Sequence, residues 1–233
     1  MKNIKVRTKL TIIVALVLVL VAYESFISIQ NMNLLKNKAL DTMDTSSRQN
    51  YDDSIKEQVG VVISLLSEIN NEYKAGRYSL DEAKKIAADE IRQMRYGNGG
   101  YFWVDQSDGK NIVLLGNSTE GTNRMNTKDA DGYQMVKEII RVAVQDGGGY
   151  TDYVFPKEGE TEPSPKRSYS EYFQPFDWVV GTGNYTDYID TAIAQQDEEF
   201  TSYASSKAIS LIICSVCMLI VVAILVALIT IDM

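Results

Sequence analysis

Residues 96–105 read Tyr96-Gly-Asn-Gly-Gly-Tyr-Phe-Trp-Val-Asp105, and the hydrophobic period of the chain changes there. Before this stretch, apolar residues recur three and four apart at Ile55, Val59, Val62, Ile63, Leu66, Ile69 and Tyr73, with no intervening proline. That spacing predicts one long helix from Ser25 to about Lys74. Gly76 and Arg77 break it. Ser79-Leu-Asp-Glu82 then opens a second helix, with Ser79 as cap and Glu82 three residues on, running to about Arg95. After the glycines the period is 2. Tyr101–Asp105 and Asn111–Leu115 are predicted strands, joined by a turn at Ser107-Asp-Gly109. Alternation places Tyr101, Trp103 and Asp105 on one strand face and Phe102 and Val104 on the other, the second pair as core against the long helix.

Downstream, Gly132 to Asp146 returns to a helical pattern, and three strands are predicted at Gly149–Phe155, Lys166–Phe173 and Asp177–Asn184. The proline-rich stretch Pro156–Pro165 connects the first two of these. Asp187 to about Lys207 is polar and helical and continues without a flexible linker into an apolar segment. The predicted fold class is α+β: a long N-terminal helix packed on an antiparallel sheet, flanked by two transmembrane helices. No internal repeat is visible.

The apolar residues pile up at both ends. Ala208 to Ile231 carries no charge, and at ~1.5 Å per residue it is long enough for a ~30 Å hydrocarbon layer. Leu10–Ala22 is also uncharged but shorter, and completes a crossing only by using Tyr23, Phe26, Ile27 and Ile29. With Lys2, Lys5, Arg7 and Lys9 ahead of it, this stretch also fits a cleaved signal peptide. The helical apolar spacing continues past Ala22 and no small-x-small cleavage site follows, which favours a span. Those four cations, with no acidic residue among them, place the N-terminus in the cytoplasm. The expected order is a cytoplasmic N-terminus at 1–9, a span at 10–29, an extracytoplasmic domain at 30–207, a second span at 208–231, and a cytoplasmic segment beginning at 232–233. The chain stops just past the second span, so coupling and output modules are expected to follow it in a longer protein.

Charge limits the partners. The 233 residues hold 23 Lys and Arg against 31 Asp and Glu; without the four N-terminal cations and Asp232, 19 basic and 30 acidic residues remain, a net −11. An acidic ectodomain argues against nucleic acid and against an anionic membrane surface, so any anion site needs its own local cations. Cys214 and Cys217 both fall in the second span, either as small interface residues or as a pair to a dimer mate, and the ectodomain has no cysteine for a disulfide. The sequence has no histidine, which removes the commonest general base and metal ligand. No catalysis, cofactor or metal is expected. The runs Gly97 to Gly100 and Gly147–Gly149 lack a following Gly-Lys-Ser/Thr and read as turns rather than phosphate loops.

The stretch Tyr96–Asp105 resembles the start of the sheet in single Cache domains, the PAS-like extracytoplasmic sensors of bacterial chemoreceptors. Three further blocks follow in order: Glu120-Gly-Thr-Asn-Arg124 with Lys128-Asp-Ala-Asp-Gly132; Gly147-Gly-Gly-Tyr-Thr-Asp-Tyr153 ending in Phe155-Pro-Lys157; and Pro165-Lys-Arg-Ser-Tyr169 with Phe176-Asp-Trp-Val-Val-Gly-Thr-Gly-Asn-Tyr185. The resemblance covers roughly Asn31 to Asp190. Many relatives carry His-Pro after the second strand, where this chain has Leu114-Leu115-Gly116-Asn117, which suggests a different pocket. The resemblance implies a sensor of small monocarboxylates such as lactate, pyruvate, formate, acetate or propionate, in a bacterial inner or plasma membrane. It implies output through a methyl-accepting chemotaxis module, or alternatively through a histidine kinase or diguanylate cyclase. A domain that contacts a binding protein, a sensor of amines or amino acids, and a membrane-tethered enzyme are the other readings.

A short carboxylate needs one or two cations in a small, partly dry pocket. Four basic residues qualify. Arg124 lies on a loop over the sheet, as a ligand or as a solvated loop arginine. Arg95 ends the second helix, where a cation also suits the helix dipole. Lys166 and Arg167 begin a strand and must point to opposite faces, and Lys166 is the one favoured for the pocket. Tyr101, Trp103, Tyr153 and Tyr169 are the aromatic candidates to line it; singly, each also reads as a half-buried sheet residue. The apolar stripe on the long helix predicts a homodimer.

Overall fold

The computed structural model describes residues 6–97, 99–157 and 159–231. Lys2, Lys5, Asn98 and the segment 232–233, on which parts of the sequence reading rest, lie outside the described residues. The chain divides into two compact units, Ser46–Asp190 and a second made of its two ends, Met1–Thr45 with Thr191–Met233.

In the central unit the first helix, α1 (Val6–Lys74), enters at Ser46 and is buried along Tyr51, Ile55, Val59, Val62, Leu66 and Ile69. This is the predicted three-and-four stripe. Helix α2 (Leu80–Gln93) begins with the reciprocal cap expected: the Ser79 hydroxyl accepts from Glu82 N, and the Glu82 carboxylate accepts from Ser79 N. Its inner face is Ala83, Ala87, Ala88 and Ile91. The helix ends two residues short of Arg95, because Met94 turns extended while its N–H still donates to Glu90 O and Ile91 O.

Arg95 therefore belongs to the short strand β1 (Arg95–Tyr96). Strands β2 (Gly100–Gln106), β3 (Asn111–Leu114), β4 (Gly149–Pro156), β5 (Pro163–Phe173) and β6 (Trp178–Tyr185) complete a fully antiparallel sheet in the order β1-β2-β6-β5-β4. Strand β3 pairs with β2 as well. The predicted connector from Pro156 to Pro165 is shorter than expected, because Pro163 and Pro165 pair with Pro156 and Val154 inside the ladder. A proline cannot donate, but its carbonyl can accept, and Pro165 O receives Thr186 N at 3.0 Å. Helix α3 (Met135–Asp146) starts three residues later than the pattern suggested. Asp129 Oδ1 takes the amides of Asp131 and Tyr133, which holds residues 129–133 in a turn.

The sheet has a helix on each face. Trp103 and Val179 pack under α3 against Met135, Val136, Ile139, Ile140 and Ala143. Phe102 and Thr182 share a register row with Tyr169, whose ring lies beneath Lys56 of α1. On that same side the Tyr51 hydroxyl reaches Arg167 O and Asn184 O.

The other unit holds the N-terminal part of α1 and most of α4 (Asp187–Ile231), where Lys36 Nζ pairs with Asp197 Oδ1 at 2.7 Å. Both helices are long and apolar enough to cross a membrane, and no residue of their most apolar stretches is buried.

Candidate ligand-binding site

Between the α3 face of the sheet and α3 itself lies a cavity of about 570 Å³. Strand parity decides what enters it. Register places Trp103 opposite Gly181, and Lys166 opposite both Tyr153 and Tyr185. Partners across antiparallel strands point to the same face, so Tyr101, Trp103, Tyr153, Lys166 and Tyr185 share one surface, and all five line the cavity. Gly181 makes room for the indole: a Cβ there would stand 2.5 Å from Trp103 Cε2. The Trp103 Nε1 donor is buried with no acceptor among the described residues.

Three cations line the cavity, and two are already matched. Arg124 grips Asp105 with both prongs, Nε to Oδ1 at 3.0 Å and Nη2 to Oδ2 at 2.6 Å, and Asp105 is fully buried. Asn111 Nδ2 donates to Asp105 Oδ1 at 2.9 Å. Lys157 is paired with Asp187. Lys166 is 3% exposed and has no carboxylate within ion-pair reach among the described residues. Its ammonium donates to the Tyr101 hydroxyl at 3.2 Å and sits 5.0 to 6.0 Å from the ring centres of Tyr101, Trp103, Phe155 and Tyr185. Such rings stabilise a cation through their negative faces but do not neutralise it. Burial, and then the nearby Arg124 charge, lower the Lys166 pKa to about 8. Burial likewise pushes the Tyr185 phenol up to about 12 and raises that of Tyr153 further. Both therefore keep their protons; the Tyr185 hydroxyl donates its own to Pro156 O.

Of the seven residues singled out from sequence, five converge here: Tyr101, Trp103, Arg124, Tyr153 and Lys166. Two do not. Arg95 is exposed and its guanidinium donates to Arg92 O and Met94 O, the carbonyls at the end of α2, so it closes a helix rather than a pocket. Tyr169 is three residues from Lys166, an odd number, and so lies on the opposite sheet face, where its ring meets Tyr150. Sequence reasoning missed Tyr185 and Phe155, although the same alternation that links Tyr153 to Phe155 would have found the second. It also missed the α3 contribution of Met135, Val136 and Ile139, which is legible only as the apolar side of a helix.

A long helix on one face of an antiparallel sheet, with a second helix roofing a cavity on the other, defines a PAS-like sensory domain. Residues 47–199 match the family described as single Cache domain 2, and the chain belongs to it. The methyl-accepting chemotaxis protein McpP of Pseudomonas putida is 32% identical over 123 residues, 52% of this chain and 23% of that protein. The sensor histidine kinase MctS of Rhizobium johnstonii is 34% identical over 177 residues, 75% of this chain and 37% of that protein. The chain thus spans well under half the length of these curated relatives. A Cache chemosensory domain solved to explain carboxylic acid recognition superposes with a TM-score of 0.58 at 28% identity, covering 61% of this chain and 97% of that one.

Proposed function

We propose that the chain is the sensory part of a two-span membrane receptor whose domain at residues 30–207 binds a small monocarboxylate outside the cytoplasm. The observation that carries this reading is Lys166: a buried ammonium facing a cavity, held by rings and a phenol but matched by no acidic side chain among the described residues. A buried charge is costly until it is paired. A carboxylate supplies the missing partner, and the protonated Tyr153 phenol lines the same cavity as a donor. Because Arg124 and Lys157 already hold Asp105 and Asp187, the site has one positive charge to match, which fits one carboxylate rather than two. The chemosensory relative studied for carboxylic acid recognition supports the same class.

In this reading residues 1–9 lie in the cytoplasm, 10–29 and 208–231 cross the membrane, and 232–233 begin a cytoplasmic continuation. The N-terminal cations and the two apolar helices support it. Ligand binding biases α4, which runs unbroken from the end of β6 into the second span, and a dimer forms through α1 and the spans. The output is a chemotaxis module, as in the Pseudomonas relative. A histidine kinase is the second reading, favoured by the longer stretch matched in the Rhizobium protein.

The test is a set of thermal melts of the whole chain in detergent, followed by the fluorescence of its two tryptophans, against formate, acetate, propionate, pyruvate, lactate, amino acids and amines. A rise of several degrees with one or more monocarboxylates, lost in Lys166→Met, supports the assignment. A response confined to amines or amino acids overturns it.

A further inference from the structure

We propose that the site accepts monocarboxylates with an apolar tail, up to about six carbons, and that Leu115 is the residue that sets this preference. The inference rests on the monocarboxylate reading and goes beyond it in naming the part of the ligand remote from the charge.

Space is the first argument. An apolar cavity of ~150 Å³ holds benzene, six heavy atoms. Lactate and pyruvate have as many heavy atoms, whereas this cavity measures about 570 Å³. Much of it remains open once a three-carbon acid has met Lys166. The character of the remainder is the second argument. Leu114, Met135, Val136 and Ile139 give the cavity an apolar lining, and the α3 residues among them belong to the buried core. Water in such a space finds few polar partners, while methylenes gain by leaving water.

The third argument is the backbone. Leu115 has φ of 57° and lines the cavity, although the residue remains 39% exposed. A bulky residue in this conformation is an outlier that persists only where its surroundings impose it, and such outliers cluster at ligand sites. Here the surroundings are visible. Glu120 Oε1 accepts both Leu114 N at 2.6 Å and Gly116 N at 2.8 Å, and Arg92 Nε holds the other Glu120 oxygen at 3.0 Å. This clasp fixes the backbone on both sides of Leu115 and presents its isobutyl group at the cavity edge, where it can cover a ligand tail.

The experiment is calorimetric titration of the whole chain in detergent with sodium acetate, propanoate, butanoate, pentanoate and hexanoate, with hexanedioate as the charge control. At ~0.8 kcal/mol per buried methylene, affinity is expected to rise about fourfold per added carbon, and hexanedioate to bind at least tenfold more weakly than hexanoate. Leu115→Gly suits the positive φ and keeps the fold, and it should lower the hexanoate-to-acetate affinity ratio about tenfold. Affinity that peaks at acetate or propanoate and falls with each further carbon overturns this proposal and leaves the monocarboxylate reading standing. Binding of none of these acids removes both. An unchanged ratio in Leu115→Gly removes Leu115 from the preference.

Discussion

Lys166 and Arg167 are neighbours on β5 and serve opposite faces of the sheet. Lys166 projects into the cavity, while Arg167 forms a two-pronged ion pair with Asp52 of α1, Nε to Oδ1 at 2.6 Å and Nη2 to Oδ2 at 2.9 Å. The residue before Asp52 adds a second tie. The Tyr51 hydroxyl lies 2.6 Å from Arg167 O and 2.8 Å from Asn184 O, and accepts Asn184 N at 2.6 Å. Strands β5 and β6 are thus fastened to α1 where Lys166 and Asn184 line the cavity.

Lys166→Met is expected to stabilise the unliganded protein while abolishing its response to carboxylates. Burial holds this amine near 8 against an ordinary 10.5, which corresponds to about 3 kcal/mol against the charged form. The four rings offset part of that cost, and methionine fills a similar volume among them. A gain of about 1–2 kcal/mol at pH 7 should raise the melting temperature by several degrees. Arg167→Met, which strips Asp52 of its partner, should lower it. A Lys166→Met protein that melts below the parent would show that the ammonium is not a burden to the fold.

The same amine fixes the pH dependence. Below pH 8 Lys166 is protonated in the folded and unfolded states alike, and its destabilising effect is complete. Between about 8 and 10.5 the folded protein has lost the proton while the unfolded chain still holds it. The unfolded state therefore binds more protons, and stability rises with pH across this window. The difference between parent and Lys166→Met unfolding free energies isolates the effect and should shrink from pH 8 to 10.5. Carboxylate binding runs the other way, because it needs the ammonium: affinity should be level up to about pH 8 and about tenfold weaker by pH 9. Titrations at pH 7, 8 and 9 check this, and affinity that stays level through pH 9 would remove Lys166 as the anion's partner.

How much of this was legible in the sequence follows from which periodicities are local. Alternation along one strand placed Tyr101 with Trp103 and separated Lys166 from Arg167, and the Ser79 to Glu82 spacing gave the cap of α2. Tyr169 was misplaced where that same parity was not applied along β5. Arg95 was misplaced because the end of α2 depends on Met94 turning extended, and no local pattern marks that. The pairing of Arg124 with Asp105 could not be read at all. It requires the chain to fold back along the β2–β3 hairpin, where Arg124 N meets Gly109 O at 2.8 Å and Asn111 N meets Thr122 O at 2.8 Å. The partners are nineteen positions apart, and nothing in the intervening composition specifies the return.

That pair gives the third prediction. Asp105 is fully buried, so Arg124→Ala strands an uncompensated carboxylate and should cost about 3–5 kcal/mol. Loss of ligand binding in this variant would then report unfolding rather than a lost contact. Replacing both charges, as Asp105→Asn with Arg124→Gln, leaves a neutral hydrogen-bonded pair and should recover most of the stability. If Lys166 supplies the anion's charge, the double variant binds acetate within a few-fold of the parent when melts confirm its fold. Binding lost in a stably folded double variant would make Arg124 the essential cation instead.

Tyr51→Phe tests the tie between α1 and the cavity wall. The substitution keeps the ring of this 8% exposed residue and deletes only the hydroxyl, which accepts from Asn184 N and reaches the Arg167 and Asn184 carbonyls. An unmade hydrogen bond at a partly buried site costs about 1–3 kcal/mol, so the melting temperature should fall by several degrees. Hydrogen exchange separates this local loosening from a global effect. The Asn184 amide should exchange markedly faster in Tyr51→Phe, while amides in the middle of β6, such as Val180, change only as far as the global stability does. In the parent protein a bound carboxylate should slow exchange at Asn184, since it draws Lys166 and Tyr185 together beside that residue. In Tyr51→Phe the slowing should be smaller, because the strand pair is no longer held against α1. Equal ligand protection in both proteins would mean that the hydroxyl fastens the fold without relaying the state of the cavity to the helix.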